Sequence, residues 1–112
     1  METQRQLKIS RLLQRELGEI FQRDAKAKYG GAMITVTKVN VSKDMSVARV
    51  YLSLFATNDK SGLISDIEAH SHDTRYQLGK RIRNQVRIIP QIRFLVDESL
   101  DYFEKYDKLL EH

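Results

Sequence analysis

The stretch AMITVTKVNVSKDMSVARVYLSLFA, residues 32–56, decides the fold. Its first part is dense in Ile, Val and Thr, which fit a pleated, half-buried surface. The apolar positions alternate, but Ile34 and Val36 have the opposite parity from Val39 and Val41. A strand with that pattern either has both faces covered or carries a bulge in its middle. Lys43 to Ser46 then supply a hairpin loop. Beyond it Ala48, Val50, Leu52 and Leu54 share one face, with Arg49, Tyr51, Ser53 and Phe55 on the other, so the stretch predicts a β-hairpin.

Upstream, Gly30 and Gly31 interrupt the pattern, because glycine loses the most conformational freedom when held helical. The segment before them predicts an amphipathic helix from about Thr3 to Ala27. A turn of about 100° per residue gathers Ile9, Leu13, Leu17, Ile20 and Phe21 on one face. Gln4, Lys8, Arg11, Arg15 and Gln22 fall opposite.

Downstream, the polar TNDKSG at 57–62 is a turn, and Leu63 with Ile67, one helical step apart, predict a short second helix. His70 to Asp73 offer no apolar anchor, so a kink is expected there, with Ser71 or Asp73 available to cap the next helix. That third helix carries Leu78, Ile82 and Val86 on one stripe. It must end before Pro90, which pushes Ile89 away from helical geometry. Ile92, Phe94 and Val96 alternate in a third strand, and residues 97–112 form a last helix with Tyr102, Phe103, Tyr106, Leu109 and Leu110 on one side. The fold class is α+β, in the order α-β-β-α-α-β with an additional C-terminal helix. Val50, Leu52, Leu54, Ile92, Phe94 and Val96 are expected beneath the helices.

A chain of 112 residues with 41% hydrophobic content has room for one core, so a single domain over residues 1–112 is expected. There is no cysteine, which excludes disulfide scaffolds and thiolate zinc sites. The N-terminal residues lack the apolar core of a signal peptide, and no window approaches the roughly 18 apolar residues of a membrane span. The expected location is the cytoplasm, without a membrane partner.

Charge is unevenly spread. The whole chain is +4 and residues 97–112 are −4, which leaves +8 on residues 1–96. Such an imbalance points to a polyanionic partner. The run RYQLGKRIRNQVRIIPQIRF, 75–94, holds six Arg or Lys and no acid. On the third helix Tyr76, Lys80, Arg83 and Arg87 fall opposite the apolar stripe with Arg81 at the edge, while Lys8, Arg11 and Arg15 form a similar strip on the first. Guanidinium groups pair with phosphate oxygens, and an exposed tyrosine can stack on an unpaired base. Solvated faces usually mix signs to gain i,i+4 pairs, and these scarcely do, so the eight residues are candidates for RNA binding. Arg75 projects toward the apolar side and is expected to pair with an acid or a backbone carbonyl.

Little points to catalysis. No Ser-His-Asp spacing and no glycine-rich phosphate loop is legible. His70 and His72, two apart, diverge on a helix and have no evident third ligand for a metal. No catalytic residue, metal or cofactor is expected, and a basic module that binds an acidic protein is the alternative to RNA binding.

Four pieces, in order, resemble the bacterial ribosome-binding factor A family. They are ISRLLQREL (9–17), ITVTKVNVSKDMSVARVYLS (34–53), LGKRIRNQVRIIPQIRF (78–94) and VDESLDYFEKYDKLL (96–110). The most specific is the family's TVTxVxVSxDxxxAxVYxS pattern, which falls on Thr35 to Ser53 without a gap. The resemblance implies a type II KH-like fold. It also implies a non-catalytic, cold-shock-related assembly factor, monomeric when free, that binds the small (30S) ribosomal subunit and its 16S rRNA late in maturation and promotes processing of the 16S rRNA 5′ end. The family's basic helical surface corresponds here to Lys80, Arg81, Arg83 and Arg87. Its interhelical Ala-x-Gly kink falls on His70, Ser71 and His72, with neither the Ala nor the Gly. A histidine can adopt a left-handed backbone there at a cost.

Overall fold

The computed structural model describes residues 2–55 and 57–97. The expected C-terminal helix lies outside these residues, Asp97 excepted. The element order is α1 (Gln4–Lys28), β1 (Met33–Val41), β2 (Val47–Phe55), α2 (Lys60–Ala69), α3 (Ser71–Ile82) and β3 (Gln91–Val96). This is the type II KH-like order read from the sequence.

The α1 helix starts at a capping box. The Thr3 hydroxyl accepts from the Gln6 backbone N–H at 3.1 Å, and the Gln6 side chain accepts from the Thr3 N–H at 2.8 Å, satisfying two donors the helix cannot. The Gln6 amide also donates to the Val41 carbonyl at 2.9 Å, fastening the helix start to the end of β1. Leu13, Leu17, Ile20 and Phe21 are buried against the sheet, each removal from water contributing roughly 1.5–3 kcal/mol. Ile9 is only partly buried. The helix stops at Gly30 and Gly31, whose φ angles of 59° and 80° lie where a side chain is disfavoured.

The parity conflict in β1 resolves as a bulge. Val36 pairs with Leu52 and Lys38 with Tyr51, leaving Thr37 as the extra residue. One inserted residue flips the alternation, which puts Ile34, Val36, Val39 and Val41 all on the buried face. Gln14 of α1 reaches the carbonyls of Val36 and Thr37 at 3.2 and 3.3 Å, taking up acceptors where the ladder is disturbed. The hairpin turn places Met45 at φ 64°. The Asp44 carboxylate holds this turn, accepting from the Ser42 hydroxyl and from the Ser46 N–H and hydroxyl at 2.8, 3.1 and 2.7 Å.

The sheet order is β1-β2-β3, with β2 antiparallel to β1 and parallel to β3. A parallel neighbour needs a long crossover, and α2 with α3 supplies it. Ala48, Val50, Leu52 and Leu54 of the central strand are fully buried beneath the helices with Leu63, Ile67, Leu78 and Ile82. The Phe21 ring meets Phe94 of β3 edge-on at 5.7 Å and Tyr29 at 5.9 Å. Ile92 and Phe94 are half-buried, but Val96 is 37% exposed and does not lie beneath the helices as expected. It sits at the end of an edge strand, with one neighbouring strand among the described residues.

Two further expectations change. The third helix ends at Ile82 rather than just before Pro90, so Val86 and Arg87 are off it. Arg75 donates to the carbonyls of Ile89 at 2.7 Å and Pro90 at 3.0 Å, folding the 83–90 connection back along α3. The β-branched residues before the proline hold little helical preference to resist this. The joint between α2 and α3 is His70 alone, at φ −96° and ψ 5°, so no left-handed histidine is needed. Neither Ser71 nor Asp73 caps α3 by a side-chain hydrogen bond. No helix among the described residues is long and apolar enough to cross a membrane.

Candidate nucleic-acid interface

The α1 and α3 helices lie side by side, and their contacts run in opposite chain directions. Lys28 pairs with Asp24 at 3.3 Å and also with Asp73. Gln77 donates to Asp24 at 3.3 Å and to Asp73 at 2.7 Å. Arg81 reaches Glu16 at 3.0 Å and Glu19 at 2.7 Å. Residues rising along one helix thus meet residues falling along the other, and the helices are antiparallel.

This seam is electrostatically closed. The Arg81 guanidinium holds the Glu16 carboxyl below the usual glutamate range, and Glu16 in turn raises Arg81. Asp73 raises the Lys28 ammonium, while Lys28, then Gln77, lowers Asp73. Opposite charges at hydrogen-bond distance favour the ionised form of both partners. Arg81, a sequence candidate for RNA, is therefore committed to joining two helices.

The remaining candidates flank the seam. Lys8, Arg11 and Arg15 are exposed on α1, Tyr76 and Lys80 on α3, and Arg83 at the C-cap just past it. Among the described residues no ion pair ties Lys8, Arg11, Lys80 or Arg83, so their charge is available to a partner. Arg15 makes only a 3.5 Å contact with Glu16, the carboxylate that Arg81 reaches from α3. Arg15 and Arg81 thus share one carboxylate at the seam. Tyr76 is 62% exposed, with the Lys80 ammonium 5.4 Å from its ring centre. A cation over an exposed ring combines a stacking surface with a phosphate contact.

Arg87 does not join that strip. From the 83–90 connection it lines a groove with Arg5 and Lys43, two cations that sequence reasoning passed over. Arg5 shares the acid-free start of α1 with Lys8, a signal that could have found it. Lys43 is a lone loop cation, and nothing local marks it.

Of the expected kink residues only His70 is the joint, while Ser71 and His72 open α3, and the three form no ligand set. The His70 ring nitrogen Nδ1 is 2.7 Å from the Asp66 carbonyl, and the ring meets Tyr29 edge-on at 5.6 Å. His72 is exposed beside Arg75 and Arg93. Among the described residues no cluster of His, Asp and Glu could hold a metal ion.

Comparison with known proteins sets these features in a family. A family model described as Ribosome-binding factor A matches residues 5–110. The ribosome-binding factor A of Cytophaga hutchinsonii is 41% identical over 98% of this chain and 83% of its own length. That of Flavobacterium psychrophilum is 38% identical over 98% of this chain and 85% of its own. The crystal structure of the Thermus thermophilus ribosome-binding factor A superposes with a TM-score of 0.67 at 25% identity, covering 81% of this chain and 94% of that one. Coordinates of the Thermus thermophilus protein fitted into a cryo-EM map of its complex with the 30S subunit give a TM-score of 0.63 at 27% identity, over 78% and 89% of the two chains.

Proposed function

The chain belongs to the ribosome-binding factor A family, and from that premise we propose that it is a non-catalytic, single-domain assembly factor that binds the small ribosomal subunit through 16S rRNA. Its ligand is the phosphate backbone of 16S rRNA, its effect is late maturation of the subunit and processing of the 16S rRNA 5′ end, and its location is the cytoplasm. The observation that carries this reading is the pair of exposed basic strips on α1 and α3, whose cations Lys8, Arg11, Lys80 and Arg83 have no ion-pair partner among the described residues. The four acids of the seam pair with Lys28 and Arg81 and not with these cations.

Binding energy is the mechanism. A protein that binds one arrangement of rRNA helices more tightly than another shifts the subunit toward it, by as much as the difference in affinity allows. Here the sheet and an ion-paired helix layer fix the backbone that carries the cations, so the ordering cost on binding falls on their side chains alone. Cleavage of the precursor falls to separate nucleases, and the factor, monomeric when free, leaves once the favoured arrangement is locked.

The test is primer extension on 16S rRNA in cells depleted of the protein. Precursor 5′ ends should accumulate and disappear again when the wild-type chain is restored. Normal maturation in depleted cells would remove the processing role. Cleavage of precursor rRNA by the purified protein alone would make it an enzyme.

A further inference from the structure

We infer that the groove at the start of α1 is a second RNA-binding surface, which seats a short single-stranded segment with phosphates on Arg5, Lys43 and Arg87 and a base on an apolar floor. This rests on the rRNA-binding reading and extends it from the α1 and α3 strips to the end of the domain.

Three chain segments build the groove: the first turn of α1, the β1–β2 turn and the 83–90 connection. Each contributes one exposed cation. Among the described residues none of the three is in an ion pair. The apolar lining of the cavity, about 570 Å³, comes from Ile9, Met45, Val86 and Ile88. A ring of cations around an apolar floor matches a nucleotide, whose phosphate is charged and whose base has two flat, weakly polar faces. Bases inside a duplex are stacked and cannot reach such a floor, which makes the ligand single-stranded.

The rim is preorganised. Arg75 pins the carbonyls of Ile89 and Pro90, which fixes the strand that presents Arg87 and Ile88. Ile88 is 64% exposed, a large apolar side chain held at the surface by a constrained loop. On the opposite wall, the Asp44 network holds the turn that carries Lys43 and Met45. Among the described residues Asp44 is the one acid lining the groove. Three hydrogen bonds already hold its carboxylate within its own turn, and three cations against this one charge leave the rim net positive for phosphate.

The groove is also continuous with the α1 strip. Arg5, Ile9 and Gln85 line it and the adjoining groove that contains Lys8, Arg11 and Arg15. Arg5 to Arg15 spans about 15 Å of helix rise. RNA leaving the floor therefore runs directly along α1.

The experiment is fluorescence anisotropy of the full chain with a labelled oligouridylate of about eight nucleotides, a length typical of small single-strand sites. It is run at about 50 and 200 mM salt. The triple variant Arg5→Gln, Lys43→Gln, Arg87→Gln should bind at least about tenfold more weakly at low salt and lose roughly 2 from the log-log salt slope, at about 0.7 per phosphate. Ile88→Ser should weaken binding a few-fold with the slope unchanged, since it removes base contact and no charge. Thermal melts of each variant should match wild type. Oligouridylate binding and slope unchanged in the triple variant would overturn the inference, as would equal binding of an acidic peptide of the same charge. Sedimentation with small subunits separates the two readings. If wild type and triple variant sediment alike with the same salt slope, the groove falls while the family function stands. If wild type fails to sediment, that function falls, and oligonucleotide binding lost in the triple variant still supports the groove.

Discussion

Replacing Arg81 by Gln and, separately, replacing Lys80 and Arg83 by Gln should give opposite phenotypes, although the three residues are near neighbours. Arg81 makes two charged hydrogen bonds, at 3.0 Å to Glu16 and 2.7 Å to Glu19, and its side chain is 28% exposed. Glu16, at 14%, would be left without its main partner. Partly screened pairs of this kind contribute about 1 kcal/mol, which corresponds to a fall of roughly 4 °C in Tm for a domain of this size. Lys80 and Arg83 have no ionic partner among the described residues, so the stability of their double variant should stay within about 0.5 kcal/mol of wild type and Tm should move little. Binding reverses the order. If Lys8, Arg11, Lys80 and Arg83 each neutralise one phosphate, the salt slope is about −2.8 and affinity for small subunits falls about 50-fold between roughly 50 and 200 mM salt. With two contacts removed the slope becomes about −1.4 and the fall about sevenfold. Thermal melts and binding titrations at several salt concentrations read both quantities. A slope loss of about 0.7 in Arg81→Gln with Tm unchanged would refute the seam assignment, and a lowered Tm with unchanged slope in Lys80→Gln/Arg83→Gln would refute the strip.

Three further outcomes rest on the same kinds of contact. Because Arg81 depresses Glu16 below its usual value of 4.5, the Glu16 contribution is complete above that value and is lost as pH falls through the lower folded one. The stability gap between wild type and Arg81→Gln should therefore narrow below about pH 4.5 in urea melts, and a gap that widens in acid contradicts the pairing. Asp44 is lowered to about 2 by Ser46 and then Ser42, so carboxyl NMR should find it ionised at about pH 3 and Ser46→Ala should return it toward 3.8; an ordinary midpoint in wild type excludes the turn network. Phe21→Ala removes the ring between Tyr29 and Phe94 and should cost about 3–5 kcal/mol by denaturant titration, whereas a loss under about 1 kcal/mol would mean the core closes over the space.

Local patterns carried much of this fold. The parity reversal between Val36 and Val39 is a one-residue event, and it left only two readings of β1, of which the bulge at Thr37 is the one found. The alternation in β2 and the paired glycines after α1 were legible for the same reason, since backbone periodicity and φ preference act within a few residues. Failures arose where a distant residue decides. The Leu78, Ile82 and Val86 stripe is a sound helical pattern, yet Arg75 binds two carbonyls beyond the helix and turns the chain before Val86 is included. Arg81 looked like one more cation on an acid-free run because Glu16 and Glu19 lie more than sixty positions upstream. Arg5, Lys43 and Arg87 converge only after three separate segments fold, so composition could register their charge but not their shared groove. The joint at His70 needed no glycine because one residue with a negative φ suffices to separate α2 from α3.

The most direct test of the central claim is co-sedimentation of the full chain with isolated small subunits, large subunits and whole ribosomes at low and high salt. Saturable binding to small subunits alone, weakened as salt rises, is the result expected of a factor that holds 16S rRNA by its phosphates. Equal binding to every particle, or binding to small subunits that salt does not weaken, would contradict it.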